Sequence, residues 1–544
     1  MVHKFNFRIS YFLVFVLSMA VINIRSNTAI IDSTNISIND TITNKTVSQA
    51  HYSIEENIST YFTKLFSDKA LPYVLAVLFL LIIVWLAFGS VYNSIKSLRS
   101  NLFVHSPINI EDTKETSKAT KGVAKYSFIA LLLGYLFYVG IKGTPTQGFA
   151  TEWLNLIVRW AHVIAGIMWI GASFYFIFLE NKLNRTKGVR DELAGNLWAI
   201  HGGGFYFLEK YKVAPKKIPE DLHWFKYEAY FTWITGVSLL FIVYYMDAKA
   251  FLIDPSIADL SAPLAIGIGI GTLVFGYVLY DLLCRSPLIN NQRLFAVVGF
   301  FILMALAYFL THVFNPRAAY IHFGALIGTI MVGNVYFTII PSQKELVNAS
   351  LRGRPLDPSL GKKAQQRSLH NNYFTLPVVF IMISNHFPST FGHEYNWLVL
   401  MGISVASAGI KHYWNLLEKG IIQKKILLIS VVGLFSIGLI TSPLFEKDEA
   451  SIPVSFEEVN VIIQARCIQC HSSSPTDDQW TSAPNGVMYD TPEQINAMAD
   501  KIMTRTVRSK SMPLGNKTNM TDEERKKLKH WIIQGAIIDN VQGE

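Results

Sequence analysis

The sequence predicts an all-α protein: a polytopic bundle of about ten membrane-spanning helices, followed by a small helical domain of its own. Three observations carry that prediction. The 544 residues are 51% hydrophobic and only 16% charged, where a soluble domain carries roughly a quarter charged residues. Long apolar runs recur along most of the chain. A Cys-x-x-Cys-His motif at residues 467–471 then falls in a polar C-terminal stretch unlike the rest.

Lys4 and Arg8 precede an apolar run from Ile9 to Ile24. This run is shorter than the roughly 20 residues a spanning helix needs, and it suits a secretory signal. No small-x-small cleavage site follows, so residues 1–25 read as a signal peptide or an uncleaved anchor. Residues 26–70 are rich in Asn, Ser, Thr and Ile without a helical apolar period, the composition of an exported flexible linker.

Residues 71–150 carry two apolar runs, 71–92 and 124–141, read as two additional transmembrane helices. Residues 151–445 carry eight more, at 151–180, 228–246, 262–283, 293–312, 318–340, 373–388, 395–416 and 423–441. Each is read as a spanning helix, since lipid demands that backbone hydrogen bonds close within the segment. The run from Tyr373 is the shortest, and Pro377 is placed in its first turn, where proline is tolerated.

Basic residues orient the bundle. Connections 93–123, 181–227, 342–372 and 417–425 hold most of the Lys and Arg, whereas 142–150, 247–261, 313–317 and 387–394 hold few. The basic set is therefore expected in the cytoplasm. That places the C-terminal domain, residues 446–544, in the periplasm of a bacterial inner membrane. The net charge of +9 follows from this topology pattern and calls for no nucleic-acid partner.

The C-terminal domain reads as a class I-like cytochrome c. Cys467 and Cys470 are spaced for thioethers to both haem vinyl groups, and His471 then lies beneath the iron. Covalent haem attachment belongs to the periplasmic side, so topology and chemistry agree. Met512, followed by Pro513, is the expected sixth ligand, with Met520 as the alternative. A capping box of Thr521 and Glu524 holds Met520 just before a closing helix. Three cysteines exclude a disulfide framework, and Cys284 reads as a small apolar residue at a helix end.

Histidines inside apolar spans are costly and point to function. His162, His322 and His386 fall in the outer half of the bundle, as candidates for two ligands of a haem b or another intramembrane redox centre. Hydrogen-bonded bundle histidines are the plainer alternative. Two cytoplasmic stretches suggest substrate binding. "HGGGFYFLEKY" offers His201, Gly202 and Gly203, as a backbone cradle or a hinge. "LHNNYFTLPVVF" places His370, Asn371, Asn372 and Tyr373 at the start of a membrane helix, where free N–H groups favour a small anion. Helix capping by the asparagines is the simpler account. Trp224, Phe225, Lys226 and Glu228 sit where the chain re-enters the membrane, as an interfacial belt or part of a site.

The segments "WLNLIVRWAHVIAGIMWIGASFYF", "HGGGFYFLEKYKVAP", "HWFKYEAYFTWITG", "HNNYFTLPVVFIMISNHFP", "APNGVMYDTPEQI" and "MPLGN" together resemble the membrane-bound, cytochrome c-linked urate oxidases (urate hydroxylases) of bacteria. The resemblance runs from about Glu152 to Trp531, and the front of the chain departs from it. It implies oxidation of urate to 5-hydroxyisourate in purine catabolism. Electrons would pass to the fused haem c, then to a downstream cytochrome c or terminal oxidase, without production of hydrogen peroxide. A relay subunit without catalysis, taking electrons from a quinol or dehydrogenase, is the second reading. A transporter or sensor with a fused cytochrome is a weaker third.

Overall fold

The long helices open on prolines and on Asn or Asp caps, and apolar runs carry them onward. A computed structural model describes residues 145–442 and 452–538, apart from residues 187, 216, 220, 221, 478, 479 and 481. The expected signal or anchor, the exported linker and the two additional transmembrane helices lie outside the described residues.

Each of the eight apolar runs from residue 151 onward is helical. Helix α1 spans Pro145–Lys182 and α2 spans Tyr227–Leu240, extended by a π-helical turn at Phe241–Tyr245. Helices α3 (Ala262–Arg285) and α4 (Gln292–Thr311) follow, the latter capped by the Asn291 side chain accepting from the Leu294 N–H. Helix α5 (Pro316–Gly333) is capped by Asn315, then widens into a π-helical stretch, Asn334–Ile339, before α6 (Ile340–Leu351). Pro341 explains the widening, because it has no N–H to return to the preceding turn. Helices α7 (Pro358–Ser384), α8 (Asn396–Glu418) and α9 (Lys424–Ile440) complete the bundle.

Four helices among the described residues are long and apolar enough to cross a membrane: Phe149–Lys182, Ala262–Arg285, Gln292–Thr311 and Pro316–Leu351. The other four runs are helical but shorter or interrupted by charge, as at Lys411 and Glu418 of α8. The core centres on α5, where Tyr320, Phe323, Leu326 and Ile327 are fully buried. Trp160 of α1, Phe275 of α3, Phe301 of α4 and Phe435 of α9 lie exposed, as lipid-facing side chains would.

Two sequence expectations need correction. The fold is mostly helical but not all-α: β1 (Leu193–His201) and β2 (Gly204–Tyr211) pair as an antiparallel hairpin. Its two-residue turn is Gly202-Gly203, both with positive φ (57° and 79°), which side chains resist and glycine accepts. Helix α7 also begins at Pro358, capped by Asp357, fifteen residues before the apolar run at Tyr373. Lys, Ala, Gln and Arg in that stretch favour helix, so the helix enters before the hydrophobicity does. Pro377 is therefore an interior proline, not a first-turn one.

The C-terminal domain has its own core of Val459, Ile463, Ile495, Leu528 and Trp531. Burying each such aliphatic side chain contributes about 1.5–3 kcal/mol. Capping boxes start its three main helices, α10 (Phe456–Arg466), α11 (Pro492–Ala497) and α12 (Asp522–Ile533). The domain rests on one end of the bundle. Its turn Leu514–Asn516 packs on the one-turn helix Ala248–Phe251, and Ser509 meets Gly392.

Candidate functional site

Helix α7 carries the polar centre of the bundle. His370, Asn371 and Asn372 lie more than three turns inside it. Their backbone N–H groups are thus committed to the helix, and the expected anion site at a free helix start does not form there. Neither asparagine caps anything. Instead the two adjacent side chains face two different networks.

Asn371 faces α3 and α5. The Asn334 amide, at the start of the π-helical stretch, donates to the Asn371 Oδ1 (2.8 Å) and to the Tyr280 hydroxyl (2.9 Å). The Asn334 Oδ1 accepts from the Arg367 guanidinium (3.1 Å), which also pairs with Asp281 at 2.7 Å. The Tyr280 hydroxyl meets the His370 Nδ1 (2.8 Å), and Phe295 stacks on that imidazole at 5.1 Å. Arg367 and Asn334 are buried, so this chain of partners is what makes their burial tolerable. π-Helical turns recur at functional sites because they re-aim side chains inward, and Asn334 is aimed this way.

Asn372 faces α8. Its Oδ1 accepts from the Asn415 amide (2.9 Å), and the neighbouring Tyr373 hydroxyl meets the His412 Nδ1 at 2.6 Å. Lys411 lies one turn before Asn415, 1% exposed, its ammonium 3.9 Å from the centre of the Phe174 ring of α1. Pro377, four residues on from Tyr373, withholds the helical N–H that the Tyr373 carbonyl would otherwise accept.

The other expected site residues lie apart from this centre. His201, Gly202 and Gly203 form the exposed tip of the hairpin, with nothing within 4 Å of a side chain added at either glycine. The structure does not bring them to α7. Lys226 rests over Trp224 and Tyr227, the arrangement of an aromatic belt at the foot of α2.

No contact joins the imidazoles of His162, His322 and His386. His162 uses its Nδ1 on the Thr232 carbonyl and the Thr235 hydroxyl, both at 3.0 Å, leaving Nε2 free. His322 is wholly buried, with Nδ1 on the Ala318 carbonyl (2.8 Å) and Nε2 on the Tyr245 hydroxyl (3.0 Å). A metal at that Nε2 would require Tyr245 to move. His386 is exposed just beyond α7. His322 thus has no ring nitrogen free while Tyr245 stays in place, and His386 stands outside the buried core.

The C-terminal motif has the donor set that a haem c requires. Cys467 and Cys470 form no disulfide among the described residues. The His471 Nδ1 bonds the Val487 carbonyl at 3.0 Å, which fixes the tautomer and leaves Nε2 for iron. Burial holds the His471 imidazole below its ordinary pKa, in its neutral, ligating form. Met512 is held by its backbone alone, its N–H on the Arg505 carbonyl (3.0 Å) and its carbonyl accepting from Arg525 (2.7 Å). Met520, by contrast, is packed into the domain core. Met512 is the one with a side chain to spare.

The polar partners of α7 were open to sequence reasoning but were passed over. Asn334 and Lys411 each stand within an apolar run, where a polar side chain is as telling as a histidine. The hairpin, too, had its signal in a Gly-Gly pair between alternating residues.

A family model described as urate oxidase N-terminal matches residues 148–442, more than half of the chain. No curated protein and no solved structure matches it. The match covers the helical bundle and stops before the C-terminal domain.

Proposed function

The chain belongs to the urate oxidase N-terminal family, and from that premise we propose that it oxidises urate to 5-hydroxyisourate and passes the electrons to a haem c on its own C-terminal domain. The observation that carries this reading is the family match, which coincides with a bundle whose buried polar side chains gather around His370–Tyr373. Urate is a small planar monoanion, and this is the part of the bundle able to hydrogen-bond one.

The reaction balances without dioxygen. Urate monoanion and water give 5-hydroxyisourate, one proton and two electrons. A bound haem c would supply a one-electron acceptor, so each urate requires it to be reduced twice, with an external cytochrome c or terminal oxidase reoxidising it between the two transfers. Cys467 and Cys470 would hold the group covalently, with His471 and Met512 as axial ligands. His370, beside Tyr280, and His412, beside Tyr373, are the imidazoles placed to take the proton.

The same reading puts the protein in a bacterial inner membrane, with the C-terminal domain periplasmic. The connections it rests on, at Ala250 and Gly392, are those poor in basic residues, which supports that side.

Anaerobic addition of urate to the purified full-length protein should reduce its haem, seen as sharpening of the α-band. Two haems should be reduced per urate consumed when external cytochrome c is supplied. Haem that stays oxidised with urate but is reduced by a quinol would instead establish the relay reading.

A further inference from the structure

Resting on the urate reading above, we propose that Lys411, Asn372 and Asn415 form the urate-binding subsite, at the junction of α1, α7 and α8. Three features of one place point to it. Lys411 is a buried cation, 1% exposed, whose ammonium sits 3.9 Å from the centre of the Phe174 ring. The carboxylate that acts on it, Glu418, lies seven residues further along and accepts from the Asn181 amide at 2.8 Å. The Asn372 Nδ2 and the Asn415 Oδ1 are likewise buried without any partner.

Buried polar atoms without partners are rare, because each forfeits the hydrogen bonds it made in water. Two of them here belong to amides already bonded to each other, Asn415 Nδ2 to Asn372 Oδ1 at 2.9 Å. What remains is one unused donor on Asn372 and one unused acceptor on Asn415, the latter one turn from Lys411. Urate offers the complement: lactam edges with a carbonyl beside an N–H, and one negative charge. Phe174 of α1 supports the Lys411 ammonium over its ring. The Tyr373–His412 pair, contributed by the same two turns, stands beside this subsite to receive a proton.

The network around Arg367 lacks these features. Its cation is paired with Asp281, and both amide ends of Asn334 are bonded. It is the structural half of the centre, and the Lys411 side is the binding half.

The test is equilibrium dialysis of urate against full-length, haem-loaded protein, with urate-driven haem reduction measured in parallel. Lys411→Met should weaken urate binding at least tenfold and raise KM by a similar factor, with an unchanged dithionite-reduced spectrum. Asn415→Ala should weaken binding about fivefold. Lys411→Met removes the charge while keeping an unbranched side chain of similar length in the buried position. Should Lys411→Met nevertheless fail to fold, Asn415→Ala decides alone.

Unchanged binding in the variants that fold overturns the proposal and leaves the orphaned amides holding water only. Wild-type protein that binds urate without reducing haem overturns the oxidase reading, while the variants still decide the subsite. Wild-type protein that binds no urate overturns both.

Discussion

Gly515 of the C-terminal domain approaches the bundle so closely that a β-carbon there would lie 2.7 Å from the carbonyl oxygen of Ala250. Gly515 follows Met512 by three residues, so the segment that docks is the one carrying the expected axial ligand. The domain turns this segment, and with it Ser509, toward the bundle.

Gly515→Ala therefore carries two costs. The backbone at φ 57° costs about 1–2 kcal/mol with a side chain, and crowding against Ala250 costs about 1–3 kcal/mol. The crowding is relieved by undocking, so the expected result is slower haem reduction by urate with an unaltered dithionite-reduced spectrum. Stopped-flow absorbance at the α-band measures both.

The two methionines separate by their surroundings. Met520 is 3% exposed within the domain core, so Met520→Ala should cost about 2–5 kcal/mol of stability and leave the haem spectrum intact. Met512→Ala should do the reverse. It opens the sixth position to added imidazole and lowers the midpoint potential, since thioether ligation raises it. Redox titration with and without imidazole distinguishes the two outcomes.

Arg367 and Arg285 both pair with Asp281, but in different media. Arg367 is 3% exposed in its side chain and Arg285 is 67% exposed. Arg367→Met leaves the buried Asn334 carbonyl without its donor and Asp281 with only its exposed Arg285 partner, and should cost about 3 kcal/mol. Arg285→Ala should cost no more than about 1 kcal/mol, as exposed pairs do. Thermal unfolding in detergent would rank them. Equal effects would mean that water reaches the Arg367 pair.

Much of this architecture is legible in the sequence because the bilayer penalises every departure from apolar helix. The eight runs that became helices are of that kind. What escaped was governed by contacts between segments. Asn371 and Asn372 suggest one site as a string of letters, yet neighbouring helical positions point about 100° apart, and each joins a different network. The start of α7 was misplaced because Pro358–His370 is helical without being hydrophobic. Lys411 gives no sign in the sequence of what surrounds its ammonium, since that depends on α1 and α7 alike.

Acid should loosen the C-terminal domain through Glu524, which closes α12 onto the haem-motif helix. Burial alone would raise its pKa. Opposing this, the Thr521 N–H donates to its carboxylate at 2.7 Å and Arg466 binds it at 3.0 Å, and together they hold it below the usual glutamate value. A carboxylate depressed on folding stabilises the folded state above the unfolded glutamate pKa of about 4.3. That stabilisation disappears as pH falls through the lower folded value, when the proton displaces Arg466. Glu524→Gln removes the titration, so its unfolding midpoint should drop at neutral pH and vary less between about pH 5 and pH 3 than the wild type. Circular dichroism of the full-length protein, followed with the Soret band, would show this. Parallel acid limbs in the two proteins would place the acid sensitivity elsewhere, with Asp522 and its Lys510 partner (2.7 Å) the next group to replace.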